Sequence, residues 1–537
     1  MLNEPVVGDE FFDRTDLMKN LGLRSEQMLS GNRRNIGLIG LRKVGKTSII
    51  WEFMRQNSHF VHNYIYIKEK PTKTMFRKIL GSVLYACMEH FDVGTDQIWM
   101  TTDKNLKELA MRWVQVDPMI AKLSFEIRDA INEDAESEEL LDLILGLIKK
   151  LSEYKETSNQ KPLVLIFDEF QNFALWGDNI LETLRENLMM QKNVWWIVAG
   201  SSISMMENII NASSSPLYGH FETIYVGPFE YSDARTYLTS TLDGILISET
   251  HLSYIIDITG GYPYYLASIG LKLCDIAQDW NVHDISKNAL LEAIAQDVFY
   301  RSGNIYKHCH QLIVNSLEKK GLDTYLTILS AIALGNHRFS EIARYVEKPG
   351  SSLTYPLERL IASDLIVKND KRYDLADPIL ALWLKHVYIL REESYIPELE
   401  LKLDVFKSQI SQMIDDFKDE LGHARESQIR EIFTKKGYTV ASGNIGKDEF
   451  DLIIDGDEGL ILGEVKAGNV NTDQVYKLLD KVKRIKKVRA VGKVILFALF
   501  GSSEQAKRSC IENEIEIWDI EKVNNERKRL GLVRLKM

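Results

Sequence analysis

The chain has 537 residues, of which 45% are hydrophobic and 27% charged, and its formal net charge is −11. This composition excludes bulk disorder and fibrous repeats. The negative net charge argues against a surface covered by nucleic-acid-binding sites, so only local basic patches can indicate nucleic-acid binding. The length favours three or four domains. Neither a long uncharged apolar run nor a basic-then-apolar N-terminal signal occurs, which predicts a cytoplasmic protein with no membrane partner.

The octapeptide GLRKVGKT at 40–47 has two glycines separated by four residues and followed by Lys-Thr. The apolar run 36–39 predicts a buried strand before it, and residues 48–54 predict a helix after it. In that setting backbone amides face the β-phosphate, Lys46 reaches the β and γ oxygens, and the Thr47 hydroxyl is offered to Mg²⁺. The alternative interpretation of this octapeptide is a Gly-rich turn that binds no nucleotide. The predicted nucleotide-binding residues are Gly40, Arg42, Gly45, Lys46, Thr47 and Ser48.

A second signature is the continuous apolar run 163–167, which ends in Asp168 and Glu169. Such a run is typical of a parallel strand buried on both faces, and ligands bind at the carboxyl ends of these strands. We expect Asp168 to hold Mg²⁺ and Glu169 to polarise the water that attacks the γ-phosphate.

Further elements are predicted around these two signatures. Residues 62–67 alternate like a strand, and long helices are predicted over 74–92, 105–131 and 138–153. A third buried run, 194–200, ends in Ser201-Ser202. A serine at this strand end either contacts the γ-phosphate or caps a helix, and the sequence favours neither.

Several segments together resemble the archaeal-type ATPase family, whose relatives are the STAND and origin-recognition ATPases of the AAA+ class. They are Phe12-Asp13-Arg14, the 40–47 loop, FDEFQNF at 167–173, AGSS at 199–202, SSSPLYG at 213–219 and TGGYPYYL at 259–266. The resemblance covers roughly residues 7–390. It implies ATP with Mg²⁺, a homo-oligomer, Arg14 beside the nucleotide base, and a lid helix that begins near Pro263.

One position departs from the family pattern. The family usually has arginine after Leu-Tyr-Gly, where this chain has His220. An arginine finger contributes about 10³-fold or more to phosphoryl transfer, so we expect hydrolysis to be slow or to depend on another basic residue.

Residues 325–383 resemble a winged helix-turn-helix, with wing strands at 365–368 and 372–375. In such modules the third helix reads DNA. Here Pro356 is expected in its first turn and Arg359 is its only cation. DNA binding and protein packing therefore both remain open.

A second constellation lies near the C-terminus, where Asp451 precedes a strand ending in Glu464-Val465-Lys466. Alternation places Glu464 and Lys466 on the same face. Two carboxylates on neighbouring strands can hold a divalent metal, and a lysine can activate water for attack on a phosphodiester. The alternative is an ordinary hairpin with a surface salt bridge.

This constellation resembles the PD-(D/E)xK nuclease fold of restriction endonucleases and junction resolvases over roughly 421–525. The resemblance implies Mg²⁺ or Mn²⁺, Glu426 as a third acidic ligand with Asp451 and Glu464, and Gln474 near the scissile phosphate. Phe450 stands where the family has proline.

A dense run of cations follows these acids and favours contact with a phosphate backbone, a solvated helix face being the alternative. Its members are Lys477, Lys481, Lys483, Arg484, Lys486, Lys487, Arg489 and Lys493.

The fold class expected is α/β multidomain. The domains predicted are a P-loop ATPase core with a parallel sheet at 1–235, a helical lid at 236–315, a winged helix at 316–392, a linker helix at 393–420 and a restriction-endonuclease-like α/β domain at 421–537. We therefore expect an ATP-dependent DNA-processing enzyme in which the ATPase controls a metal-dependent endonuclease, suited to genome defence, mobile-element or junction processing. The alternative is a STAND-like ATP-driven switch whose C-terminal domain binds DNA or protein without cleaving it.

Overall fold

The computed structural model describes residues 4–90, 102–153, 162–317, 321–445, 447–456, 459–466, 470–499, 501–532 and 535. The chain divides into two compact units. The first contains Met1–Pro228, Tyr262–Tyr264 and Asn315–Asp377, and the second contains Phe229–Gly261, Tyr265–Val314 and Pro378–Met537. Within the described residues no helix has the length and apolar character needed to cross a membrane.

The first unit is built on a five-stranded parallel sheet in the order β2-β3-β4-β1-β5, which confirms the predicted P-loop-type α/β core. Strands β3 and β4 are buried along their whole length, as their apolar runs predict. Because β4 lies between β3 and β1, the ends of all three strands meet at one edge of the sheet. The strands are β1 Asn35–Ile39, β2 Val61–Tyr66, β3 Leu163–Asp168, β4 Val194–Gly200 and β5 Phe221–Tyr225.

Helices surround this sheet and bury a large apolar core against it. They are α1 Thr15–Leu29, α2 Lys46–Gln56, α3 Lys73–His90, α4 Asp103–Val116, α5 Pro118–Asn132, α6 Ser137–Glu153, α7 Ile180–Met190 and α8 Ile203–Ile210. The single helix predicted over 105–131 is wrong, because the Asp117 carboxylate caps the amides of Met119 and Ile120 and starts a new helix with Pro118 in its first turn. Residues 91–92 of the predicted helix 74–92 lie outside the described residues.

The next region is helical, with one short two-stranded pairing. Its elements are α9 Tyr231–Leu242, β6 Leu246–Ile247, α10 Glu249–Thr259, α11 Pro263–Asp279, β7 Asp284–Ile285, α12 Lys287–Ile294 and α13 Asn304–Ser316. The turn between α10 and α11 requires glycine, since Gly261 has φ 75° and a Cβ there would lie 2.4 Å from the Phe229 carbonyl oxygen.

Three helices and an antiparallel hairpin follow, in the order expected of the winged-helix prediction. We call them the three-helix–hairpin segment: α14 Leu322–Ala333, α15 Phe339–Val346, α16 Thr354–Ala362, β8 Ile366–Asn369 and β9 Arg372–Leu375. Pro356 lies in the first turn of α16, as expected.

The C-terminal region contains a second, mixed five-stranded sheet in chain order, antiparallel from β10 to β12 and parallel from β12 to β14. The helix α18 runs without interruption for 37 residues, through both the predicted linker and the start of the predicted C-terminal domain. The elements are α17 Pro378–Trp383, α18 Leu399–Lys435, β10 Val440–Ile445, β11 Asp448–Gly456, β12 Gly459–Lys466, α19 Thr472–Lys486, β13 Val491–Ala498, α20 Glu504–Glu512, β14 Ile515–Trp518 and α21 Ile520–Arg529.

Candidate ATPase centre and C-terminal carboxylate cluster

The loop between β1 and α2 follows a path that its glycines allow. A Cβ on Gly40 would lie 2.2 Å from the Val226 carbonyl oxygen, so any larger residue would displace the backbone. Lys43 and Gly45 have φ values of 67° and 96°, and Gly45 immediately precedes the first turn of α2. The loop therefore leads directly into the N-terminus of α2, where backbone amides are available to bind an anion.

Lys46 is buried at 6% exposure, and its Nζ donates to the carbonyl oxygens of Gly40 (2.7 Å) and Leu41 (2.9 Å). Burial lowers its pKa to about 8, against the opposing charges of Glu169 and Asp168. A desolvated ammonium group held by backbone carbonyls is well suited to exchange them for phosphate oxygens.

Asp168, at the end of β3, is hydrogen-bonded by two hydroxyl groups. Thr47 Oγ1 donates to its Oδ2 at 2.9 Å, and the Tyr64 hydroxyl donates to the same oxygen at 2.7 Å. Burial raises the pKa of Asp168. A hydroxyl and a carboxylate side by side fit Mg²⁺ bound between protein and phosphates, so Thr47 and Asp168 would hold the ion, whose charge would stabilise the phosphoryl group.

Tyr64 is not among the site residues predicted from the sequence. It reaches Asp168 because β2 pairs directly with β3, and the only sequence signal for it is the alternation of β2.

Glu169 follows Asp168 in a left-handed conformation, φ 56°. Its Oε2 accepts hydrogen bonds from Ser201 Oγ (2.6 Å) and Gln171 Nε2 (2.5 Å). Ser202, not Ser201, is the N-cap of α8, so the two serines take different roles. Gln171 is a further residue that the sequence analysis did not identify.

Two predicted nucleotide contacts are bonded to the protein's own backbone. Arg14 Nη2 donates to the carbonyl oxygens of Gly227 (2.7 Å) and Val44 (3.1 Å), so it holds the binding loop. Ser48 Oγ accepts from the Val6 amide at 3.1 Å.

The remaining predicted contacts lie around the loop. Arg42 is exposed, and its charge contributes to the lowered pKa of Lys46. Pro263 begins α11, and the ring of the following Tyr264 lies 4.1 Å from Lys43 Nζ. The start of α11 thus approaches the loop through a cation–π contact.

His220, in the family's arginine position, has a lowered pKa because it is partly buried and near the charges of Arg185 and Arg33. It is therefore neutral at pH 7. Arg33 bonds backbone carbonyls, whereas Arg185 lies exposed on α7.

In the second unit, β11 and β12 bring the predicted acids together. Asp451 Oδ2 accepts from the Val465 amide at 2.7 Å. Glu464 is bonded by two lysines: Lys466 Nζ at 2.9 Å, and Lys481 Nζ at 3.0 and 3.1 Å to its two oxygens. Lys481 comes from α19 and also donates to the Glu449 carbonyl oxygen at 2.9 Å. We call Asp451, Glu464, Lys466 and Lys481 the C-terminal cluster.

Burial raises the pKa of Asp451 to about 6, with further contributions from the charges of Glu464 and Glu426. Glu426 lies 3.7 Å from Arg430 Nη1 and 3.5 Å from His423 Nδ1. Gln474 is engaged in a capping box with Asn471, in which each side chain accepts from the other's backbone amide.

The fit of this cluster to a metal ion is poor in the arrangement observed. Among the described residues, no three His, Cys, Asp or Glu side chains are grouped so as to hold a metal. Glu464 is neutralised by two ammonium groups instead. The cluster is an ion-paired network rather than an open set of acidic ligands.

The cation run divides into paired and unpaired members. Arg484 pairs with Asp448, Arg489 with Asp455 and Lys493 with Glu516. The side chains of four others form no hydrogen bond or ion pair within the described part of the chain. Three of them lie on α19 and the fourth follows its last residue, and we call all four the α19 lysines: Lys477, Lys483, Lys486 and Lys487.

Comparison with known proteins matches the part of the chain that contains the first of these two sites. Residues 11–269 match the model of an ATPase domain predominantly from Archaea. This part of the chain is similar to archaeal-type ATPase domains. The match spans Arg14, the 40–47 loop, Asp168, Ser201 and Pro263, and ends before the three-helix–hairpin segment.

Individual proteins are similar over a longer stretch. An uncharacterized protein of Methanocaldococcus jannaschii is 25% identical over 383 residues, which are 66% of this chain and 80% of the relative. A Walker-type ATPase of Pyrococcus abyssi is 22% identical over 72% of this chain and 99% of its own, with a TM-score of 0.45. The Orc1 protein of Aeropyrum pernix, in complex with DNA, is 12% identical over 71% and 94%, with a TM-score of 0.39.

Proposed function

We propose that this chain is an ATP-dependent DNA-processing enzyme in which the archaeal-type ATPase domain controls a nuclease-like C-terminal domain. The observation that supports the proposal is that one chain carries two groups of charged side chains of the types used in phosphate chemistry. One is the loop around Lys46, and the other is the C-terminal cluster beside the α19 lysines.

In the ATPase domain, Lys46 binds the β and γ oxygens, and Thr47 and Asp168 hold Mg²⁺ beside them. Glu169 orients the attacking water once its hydrogen bonds to Ser201 and Gln171 rearrange. Since His220 is neutral, an exposed cation such as Arg185 is the better candidate for stabilising the transition-state charge, supplied by a neighbouring copy in a homo-oligomer.

In the C-terminal domain, Lys466 and Lys481 present two ammonium groups at a partly buried carboxylate. A phosphodiester that enters this cluster meets positive charge on the β12 and α19 sides. The four α19 lysines extend that charge along one helix and favour DNA as the partner, through contacts to its backbone.

A switch without cleavage is the second candidate, and a specific observation favours it. Glu464 is fully ion-paired and the cluster lacks a group of three acidic ligands among the described residues. A domain of this kind would bind DNA or protein when ATP occupies the first site, and the neutral His220 would keep the ATP-bound state long-lived.

The deciding experiment is single-turnover cleavage of four-way junction, duplex and single-stranded DNA, with ATP and with Mg²⁺ or Mn²⁺. We expect Lys466→Ala to abolish cleavage with normal ATP hydrolysis, and Lys46→Ala to abolish hydrolysis and change cleavage. Lys507→Ala is the matched control, because Lys507 also pairs with a glutamate (2.7 Å) but lies on α20 outside the cluster.

Cleavage that is the same in all three variants would contradict the nuclease proposal. Tight DNA binding that depends on ATP, without cleavage of any DNA form by the parent protein, would support the switch instead.

A further inference from the structure

Asp364, which follows α16 in the three-helix–hairpin segment, is bonded to the start of α8. Its Oδ2 accepts from Ser202 Oγ at 2.7 Å. Its Oδ1 accepts from the Ser204 amide at 3.0 Å and from Ser204 Oγ at 2.6 Å. Ser204 Oγ also lies 3.3 Å from the Ile361 carbonyl oxygen. All these residues belong to the first unit, and three donors converge on one carboxylate.

The same serine stretch reaches the ATPase centre. Ser201 precedes Ser202 directly, is 5% exposed, and donates to Glu169 Oε2 at 2.6 Å. The preceding Gly200 is packed so closely that a Cβ there would lie 2.3 Å from Met206 Cγ. A short, tightly packed strand end therefore joins the carboxylate of Asp364 to that of Glu169.

Helix capping alone does not account for Asp364. The Ser202 side chain already accepts from the Met205 amide, so α8 has its own N-cap. The added carboxylate places a negative charge at the same helix N-terminus, where it is favoured by the helix dipole. It also ties residues more than 150 positions apart in the chain.

We infer that Asp364 is a positioning residue for ATP hydrolysis. It fixes Ser202 and Ser204, these fix Ser201, and Ser201 holds the Glu169 carboxylate in register with the nucleotide site. The turnover number then depends on whether the three-helix–hairpin segment is bonded to α8. This inference rests on the ATPase domain and does not require the nuclease.

The test uses the full chain with Asp364→Asn, Ser204→Ala and the double variant. Asparagine tolerates the left-handed backbone at 364 (φ 55°) but offers only one acceptor oxygen. Asp370→Asn is the matched control, because Asp370 also has φ 55°, lies in the same segment, and makes no hydrogen bond within the described ranges.

We expect each single variant to lower kcat for ATP by about tenfold, since small misplacements of a catalytic group have effects of this order or larger. KM for ATP should change by less than about twofold, because the nucleotide contacts are intact. The double variant should match the worse single variant, as residues of one network are not additive.

Unchanged kcat in Asp364→Asn or Ser204→Ala would overturn the inference, as would additive losses in the double variant or an equal loss in Asp370→Asn. A change confined to KM would overturn it too. If Asp364→Asn does not fold, as judged by its thermal unfolding, Ser204→Ala alone decides, because that variant removes only a hydroxyl group.

Discussion

The two charged sites of this protein balance their charges in opposite ways. In the ATPase centre, Lys46 is bonded to backbone carbonyls and Asp168 to hydroxyl groups, so neutral groups hold both charges. In the C-terminal cluster, Glu464 is bonded directly to the ammonium groups of Lys466 and Lys481.

This difference shows what each site needs in order to bind a ligand. A hydrogen bond between a charged side chain and a neutral group is exchanged for a phosphate or a metal ion at lower cost than an ion pair, which must first be broken in a partly buried environment. The ATPase centre is therefore prepared for its ligand, and the C-terminal cluster must change partners. Four predictions test this contrast.

Lys46→Met should separate activity from stability. Loss of this cation should lower kcat/KM for ATP on the order of 100-fold or more, because transition-state charge loses a preorganised partner. The nucleotide-free protein should unfold at the same or a higher temperature, because a desolvated charge is removed. Steady-state kinetics and thermal unfolding check both, with the exposed Lys122→Met as control. A clear loss of stability would mean that Lys46 is a structural cation.

Gly40→Ala should weaken ATP binding by about fivefold or more, because overpacking of a rigid site costs about 1 kcal/mol or more. The added Cβ would lie 2.2 Å from the Val226 carbonyl oxygen. Equilibrium binding of ATP is the measurement. Gly22→Ala is the matched control, since a Cβ there meets nothing within 4 Å, and equal affinities of the two variants would contradict the prediction.

The affinity for ATP should fall as pH rises through about 8. The folded-state pKa of Lys46 is lowered from 10.5 to about 8, so the nucleotide-free site loses its charge above that pH. Between pH 7 and 9 the loss should be about tenfold, while the stability of the nucleotide-free protein gains from this group as pH rises toward 10.5. Dissociation constants measured across this range test it. The same pH dependence in Lys46→Met would assign the effect to another group.

Lys481→Met should destabilise the C-terminal region by about 1 kcal/mol, because one of two partners of a partly buried carboxylate is lost. Thermal unfolding of this variant is compared with Lys477→Met, which changes an unpaired lysine one turn earlier on α19. A lower unfolding temperature only in Lys481→Met is expected. Equal temperatures would show that Lys466 alone neutralises Glu464.

The elements that sequence predicts well are those whose physical signal is local. The loop at 40–47 is one such element, because its glycines and its Lys-Thr pair lie within a single octapeptide. Strands β3 and β4 are two more, because a strand buried on both faces is apolar along its whole length. The structure confirms all three elements. The break between α4 and α5 also has a local signal, which the prediction of a single helix ignores: Asp117 is an N-cap residue and Pro118 follows it in the first turn of α5.

What the sequence could not supply are contacts between distant segments. Tyr64 reaches Asp168 from 104 positions away, and Asp364 reaches Ser202 from 162. Lys481 is visible in the sequence as one lysine among many, and only the packing of α19 beside β12 distinguishes it from its neighbours. The domain boundaries and the roles of the site residues stay predictions.

The uninterrupted helix α18 belongs to two hydrophobic cores. Near its start Phe406 packs 5.1 Å from the ring of Phe299, and near its end Ile429, Ile432 and Phe433 enter the core of the second sheet. At 1.5 Å a residue, its 37 residues form a rod about 55 Å long. The number of residues between the two contacts therefore sets the rotation of one core relative to the other about the helix axis, and one inserted residue would turn the far end by about 100°.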